Sequence, residues 1–534
     1  MSSPAPQERL PREATTGTIE RMGRGGGLNI VGALTNQAAM FAAISVMAWL
    51  GQRQVGRYAT CLALLALLSL LSLAGFRSAL TRFVAMHVAD GDAARLRGTV
   101  RLGLGLTLAG SVVVALVLAL VAPWAARRLN DPSLETGIRL VALALPASAF
   151  SDAALSATQG WRTQRPFTLI GRIFEPVLRL ALMTGAILLG LGFEGAMAAL
   201  VVAAWAAALL SARALATRMS GTPRVRPLHD LRAIFSFSMV SWVSALAATG
   251  LIWVDTLLLG ALTDQRHVGS YNVATRLVML AVFVMAPINA AFTPHMAHLL
   301  HRGERAEAAR AYGTASRWIL GLSMPAFVVL VVFPNQLLTY FGKGYAAAAA
   351  VTVILAFGQL VSAAAGPCGT VLNMSGRVGL NMVDNVAVLV VNVVLNLVLI
   401  PRYGIVGAAV AWSASLVAVN IAKVLQAYLV VGIRAAGAGI QRSLFAGGVA
   451  AAVALLTERW VSDWDDVVLI GAPTVLVVFC AVMVVLGVPA DDRALMGRLL
   501  PGRVHRRSGA ADRAQRVASA DLRTDTRGGG RHVA

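Results

Sequence analysis

Gln52-Arg53-Gln54-Val55-Gly56-Arg57-Tyr58 returns 213 residues later as Gln265-Arg266-His267-Val268-Gly269-Ser270-Tyr271, with five of seven positions identical. Each copy follows the first apolar stretch of a set of six. Gly192-Phe193-Glu194-Gly195-Ala196 recurs as Gly404-Ile405-Val406-Gly407-Ala408 at an offset of 212, between the fifth and sixth stretch of each set. Between the second and third stretches, Gly91 matches Gly303 at 212, and Gly98-Thr99 matches Gly313-Thr314 at 215. One short identity arises easily in apolar sequence, but several in order at nearly one offset mark an internal duplication. An even number of crossings per copy inserts both copies the same way up. A pseudo-twofold axis is therefore expected along the membrane normal, with a substrate path between the halves.

The composition supports a membrane setting for those stretches. Hydrophobic residues make up 57% of the 534 and charged residues only 13%, with mean hydropathy +0.71. Soluble chains carry about a quarter charged residues. That excess of apolar surface excludes a soluble enzyme, a disordered scaffold and a secreted disulfide domain. The net charge of +21 falls in loops and tails between apolar runs, a pattern that sets membrane orientation and does not form a nucleic-acid footprint. Cys61, Cys368 and Cys480 lie inside apolar stretches without CxxC spacing, so packing is their expected role. No metal or cofactor is expected: His295, His298 and His301 drift around their helix, and no carboxylate is placed to complete a metal site.

A spanning helix needs about 20 mostly apolar residues. Fourteen such stretches are expected, at approximately 28–50, 58–76, 102–122, 138–158, 167–190, 195–215, 233–260, 271–293, 316–338, 347–372, 380–400, 404–431, 442–457 and 467–487. The chain thus reads as an all-α polytopic membrane protein of two six-helix bundles and two extra C-terminal helices. The expected divisions are a disordered tail at 1–27, an N-terminal bundle at 28–218, a linker at 219–232 and a C-terminal bundle at 233–431. Helices 13 and 14 follow at 432–487, then a basic disordered tail at 488–534. With the N-terminus inside, the inner loops hold about 20 Arg and the outer loops about ten basic residues, which places both termini in the cytoplasm.

Several segments carry a family resemblance. Trp253-Val254-Asp255-Thr256-Leu257-Leu258-Leu259-Gly260, followed by Val268-Gly269-Ser270-Tyr271-Asn272-Val273-Ala274, resembles the seventh-to-eighth helix junction of polysaccharide and O-antigen flippases. These belong to the multidrug/oligosaccharidyl-lipid/polysaccharide exporter superfamily. Phe341-Gly342-Lys343-Gly344-Tyr345 and Leu399-Ile400-Pro401-Arg402-Tyr403-Gly404-Ile405-Val406-Gly407-Ala408-Ala409 resemble that family's ninth-to-tenth and eleventh-to-twelfth connections. The resemblance covers roughly residues 28–431. It implies a transporter that moves a polyprenyl-pyrophosphate-linked oligosaccharide across the bacterial cytoplasmic membrane by alternating access. The implied partners are membrane lipids and the glycosyltransferases and polymerase of the same pathway. Lipid II flippases fit less well, because they carry an Arg and an Asp early in a first helix that here offers Asn36 and Gln37. The alternatives are a drug or metabolite exporter of the superfamily and a membrane polysaccharide polymerase. A polymerase is disfavoured by outer loops of only about a dozen residues.

Charges inside the bilayer are costly, about 2.5–3.5 kcal/mol each at mid-membrane, so those present need partners or a wet cavity. Arg172, Glu175 and Arg179 share one helix face at i, i+3, i+7. Asn381, Asn385, Asn392 and Asn396 form a polar stripe on the repeat-related helix 11, which also carries Asp384. In the functional reading Arg172, Arg179, Arg276 and Lys423, with Asn385 and Asn392, line a cavity for an anionic headgroup, since guanidinium matches phosphate oxygens two at a time. Asp152, Glu175, Asp255 and Asp384 are candidates for binding a coupling ion or for pairing internally with those cations.

Overall fold

The computed structural model describes residues 12–434 and 438–487. Among them the regular structure is helical, because backbone polar groups buried in hydrocarbon must be satisfied within their own segment. The first half comprises α1 (Arg12–Ala48), α2 (Gln52–Leu73), α3 (Phe76–Ala89), α4 (Ala93–Arg128), α5 (Leu134–Gln159), α6 (Glu175–Leu188), which a π-helical turn at Phe167–Phe174 precedes, and α7 (Gly192–Ser220). The second comprises α8 (Leu231–Leu262), α9 (Gln265–Ala281), α10 (Met285–His301), α11 (Arg305–Val332), α12 (Pro334–Thr339), α13 (Ala349–Ala365), α14 (Cys368–Met374) and α15 (Val378–Gln426). α16 (Ala438–Thr457), α17 (Trp464–Asp466) and α18 (Ala472–Val485) follow.

Among the described residues eleven helices are long and apolar enough to span, or twelve with the bent pair α9 and α10. The expected fourteen is compatible with this. Phe167–Leu188 carries three charges, and α15 is two helices merged across a break at Gly404 (φ 56°, ψ −132°).

The same backbone devices recur at the sequence offset. Gly192 and Gly404 adopt φ of 55° and 56°, and Gly91 and Gly303 adopt 69° and 73°, values that a Cβ disfavours. The second span of each half is broken, at Ala74 and Gly75 (φ 44° and 79°) between α2 and α3, and by a 50° bend between α9 and α10.

The heptapeptide copies that reveal the duplication touch each other. A Cβ on Gly56 would overlap the carbonyl oxygen of Gln265, and one on Gly269 would overlap that of Gln52. Small residues here let α2 and α9 cross backbone against backbone. α8 then bridges the halves. At one end Phe235 and Phe237 pack edge-on against Phe76 and Phe83 of α3, and towards the other Asp255 meets Asn396 of α15.

α1 begins at Arg12, within the stretch expected as a tail, since extending a formed helix is far easier than nucleating one; residues 1–11 lie outside the described ones, as does the basic tail at 488–534. The stretch after residue 76, read as loop, contains α3, which buries Ala79, Leu80, Phe83 and Val84 on one face. Its mean hydropathy is lowered by Arg77 and Arg82, which concealed it from a span count. The linker starts beyond Ser220 and packs on α4, where Arg97 donates to the carbonyls of Pro223 (2.7 Å) and Thr222 (2.9 Å).

Candidate functional site

One end of the molecule is sealed by reciprocal contacts from the two heptapeptides. Gln52 donates from Nε2 to the Gly344 carbonyl of the opposite half and to Ser270 Oγ (3.2 Å). Its repeat mate Gln265 donates to the Leu129 carbonyl of the first half (3.1 Å) and accepts from Thr60 (3.0 Å). Asn130 adds hydrogen bonds to the carbonyls of Ala261 and Thr263, both 2.9 Å. Beside the seal, buried Asp131 takes Arg57 through both carboxylate oxygens (2.7 and 3.0 Å) and Arg53 (3.2 Å). Burial alone would raise the Asp131 carboxyl, but the two arginines outweigh it and hold it below the usual carboxylate range.

Away from the seal a cavity of about 450 Å³ follows α2 from Leu62 to Leu73 and on to Arg77. Asn36 of α1, Ser151 and Asp152 of α5, Glu175 and Arg179 of α6, and Thr249 and Trp253 of α8 complete its polar and aromatic wall. Arg179 is only 9% exposed. It meets Glu175 at 3.5 Å through one terminal nitrogen, while its Nε has no partner among the described residues. The buried Tyr58 hydroxyl, also without a partner, lies within electrostatic reach of both Arg179 and Arg276. Arg276 stacks over the cavity-lining Trp253, 5.3 Å from its ring centre, and its Nε is likewise unpartnered.

The profile of the polysaccharide biosynthesis protein family matches residues 23–300, just over half of the chain. The chain belongs to the polysaccharide biosynthesis protein family. A second profile, MatE, matches residues 241–398. Among curated proteins, a probable low-salt glycan biosynthesis flippase, Agl15, of Haloferax volcanii is 26% identical over 200 residues, 37% of this chain and 42% of that protein. The probable flippase AglR of the same organism is 27% identical over 188 residues, 34% of this chain and 38% of its own length. The aligned region therefore spans less than half of either relative. In fold, the chain resembles lipid II flippase MurJ in an inward closed conformation, with TM-score 0.69 and 11% identity over 85% of this chain and 97% of that one. An inward-facing multidrug-resistance MATE transporter of the MOP superfamily gives TM-score 0.61 and 16% identity over 76% and 98%.

In this member of the polysaccharide biosynthesis protein family, the expected site residues divide into three groups. Asp152, Glu175 and Arg179 share the cavity. Arg172 stands at its margin, donating to Asn29 (3.2 Å) and stacking 5.1 Å from the Phe167 ring centre; it does not pair with Asp152. The rest lie in the second half. Lys423 donates to Asn385 (2.8 Å), and Gln426 donates to Asp384 (2.8 Å), whose other oxygen is buried without a partner. Asp255, 1% exposed, accepts from Tyr271 (3.0 Å) and from Asn396 (2.7 Å), which also meets Asn392 (3.1 Å). Arg276 turns to Trp253 and does not pair with Asp255.

Sequence reasoning missed Arg77 and Trp253. Arg77 was counted in a loop, and a Trp inside a span gives no signal of facing a cavity. The Ala74-Gly75 break, which aims Arg77 at the cavity, could have been suspected from the Gly alone.

Proposed function

We propose that the protein is a flippase that carries a polyprenyl-pyrophosphate-linked oligosaccharide across the cytoplasmic membrane by alternating access, with no chemical step and with both termini in the cytoplasm. The observation that carries this reading is the cavity among the first-half helices, closed on one side by Thr249 and Trp253 of α8, in which buried Arg179 keeps a donor unpartnered among the described residues, with Arg77 further along the same wall. An arginine whose charge is only half met by one carboxylate at 3.5 Å is poised to accept a phosphate, where a bidentate contact regains what burial removed. A headgroup enters this space while its lipid tail stays in the bilayer.

The name of Agl15, a probable low-salt glycan biosynthesis flippase, supports the substrate class, and that of AglR, a probable flippase, supports the mode of transport. The test is substrate choice in proteoliposomes. The reading expects transfer of labelled lipid-linked oligosaccharide and none of a cationic dye; dye export without oligosaccharide transfer would favour a drug exporter, and sugar transfer by the purified protein alone would favour a polymerase.

A second observation bears on energy supply. Asp255 is buried and accepts from the neutral Tyr271 and Asn396, and among the described residues it forms no ion pair. A carboxylate so placed favours uptake of a proton or a sodium ion, and we propose it as the coupling site. Transfer that ignores both gradients would dispose of this role while leaving the substrate reading intact.

A further inference from the structure

A second cavity, about 390 Å³, lies in the C-terminal half at the end opposite the seal, where α10 gives way to α11 and the α14–α15 connection approaches Val430 and Val431. His301, Arg305, Ser375 and Arg377 form its polar wall, and Met374 and Val431 belong to its apolar one. No Asp or Glu lines it. The basic residues nearby are not equivalent. Arg302 meets Glu304 at 2.8 Å and Arg310 meets Glu307 at 3.1 Å, so their charge is answered within the chain. Among the described residues, Arg305 and Arg377 have neither an ion pair nor a side-chain hydrogen bond.

Arginines at a membrane surface ordinarily set orientation, and the duplication supplies an internal control for that role. Gly91 and Gly303 hold the same left-handed turn. Two residues to either side of it stand Ala89 and Ala93 in the first half, but His301 and Arg305 in the second. The turn forms without cations, so the fold does not require these two. Their gathering with Arg377 around a concave, acid-free pocket is a departure of one half from the other.

We propose that this pocket binds a phosphate-bearing anion. Arg305 and Arg377 hold the phosphate oxygens, with His301 as a further donor. Basic pockets between helices suit anionic headgroups, and the apolar wall of Met374 and Val431 suits the start of an acyl chain. A soluble phosphate would use the polar wall alone.

The test compares two double variants of the full-length protein that lose equal charge: Arg305→Gln with Arg377→Gln in the pocket, and Arg302→Gln with Arg310→Gln outside it. Binding of phosphatidylglycerol is read by native mass spectrometry, binding of inorganic phosphate by calorimetry, and folding by the unfolding midpoint; none depends on transport. The pocket pair should weaken phosphatidylglycerol binding about tenfold or more, and the outside pair less than about threefold, with both midpoints near wild type. The same contrast seen with inorganic phosphate and not with the lipid keeps the site and assigns it a soluble ligand. If the two pairs behave alike towards both probes, or the wild type binds neither, the proposal is wrong.

Discussion

Asp131 shows how a residue outside the membrane can hold the sealed end in place. It is buried and shared by Arg57 and Arg53, so Asp131→Asn removes charge-assisted bonds and should cost about 2–3 kcal/mol, measured as a lowered unfolding midpoint in detergent. Because its folded pKa is depressed, its contribution is fully present above the ordinary carboxylate value of 3.8 and declines as pH falls below it. The gap in stability between wild type and Asp131→Asn should therefore be constant near neutrality and narrow as pH falls below about 4. The charged residues also show what was legible at this scale. Arg172, Glu175 and Arg179 declared themselves by spacing and by the cost of burying charge. What spacing could not supply was the partner: Asn29 for Arg172, Trp253 for Arg276, Asn385 for Lys423. Those pairings depend on how helices far apart in sequence are rotated against each other.

Among the elements, the crossing of α2 and α9 rests on two glycines whose added Cβ would overlap the partner's backbone. Gly56→Ala and Gly269→Ala should each destabilise by about 1–3 kcal/mol, because backbone cannot move aside as a flexible side chain can. Gly105→Ala, where a Cβ meets open space, should be neutral in the same unfolding assay. Gly404→Ala acts differently: the residue holds φ 56° and ψ −132° where α15 breaks, and a side chain there should cost about 1–3 kcal/mol through strain. These glycines were visible in the sequence because the duplication aligned Gly56 with Gly269 and Gly192 with Gly404. The breaks within the second span of each half were not, since hydropathy averaging runs smoothly across a two-residue interruption.

Across the whole molecule, reciprocal bonds from Gln52 and Gln265 tie each half to the opposite one at the same end. A seal built from a few polar contacts and a glycine crossing is one that alternating access can break and remake. Joining Gln52→Cys to Gly344→Cys with a short thiol reagent, after replacing Cys61, Cys368 and Cys480, should abolish transport reversibly; undiminished transport in the joined protein would mean that this end never opens. The overall architecture was legible from apolar run lengths and a repeat offset, both properties of the chain alone. The cavity was not, because it is a volume left between helices. The measurement that bears most directly on the account is the rate at which proteoliposomes transfer a pyrophosphate-linked oligosaccharide lipid, compared between wild type, Arg179→Gln and Lys423→Gln at matched insertion. The account predicts a fall of about tenfold or more for Arg179→Gln, the equivalent of one charge-assisted contact, and a rate within about twofold of wild type for Lys423→Gln, which stands outside the cavity. Wild-type transfer by Arg179→Gln would contradict it.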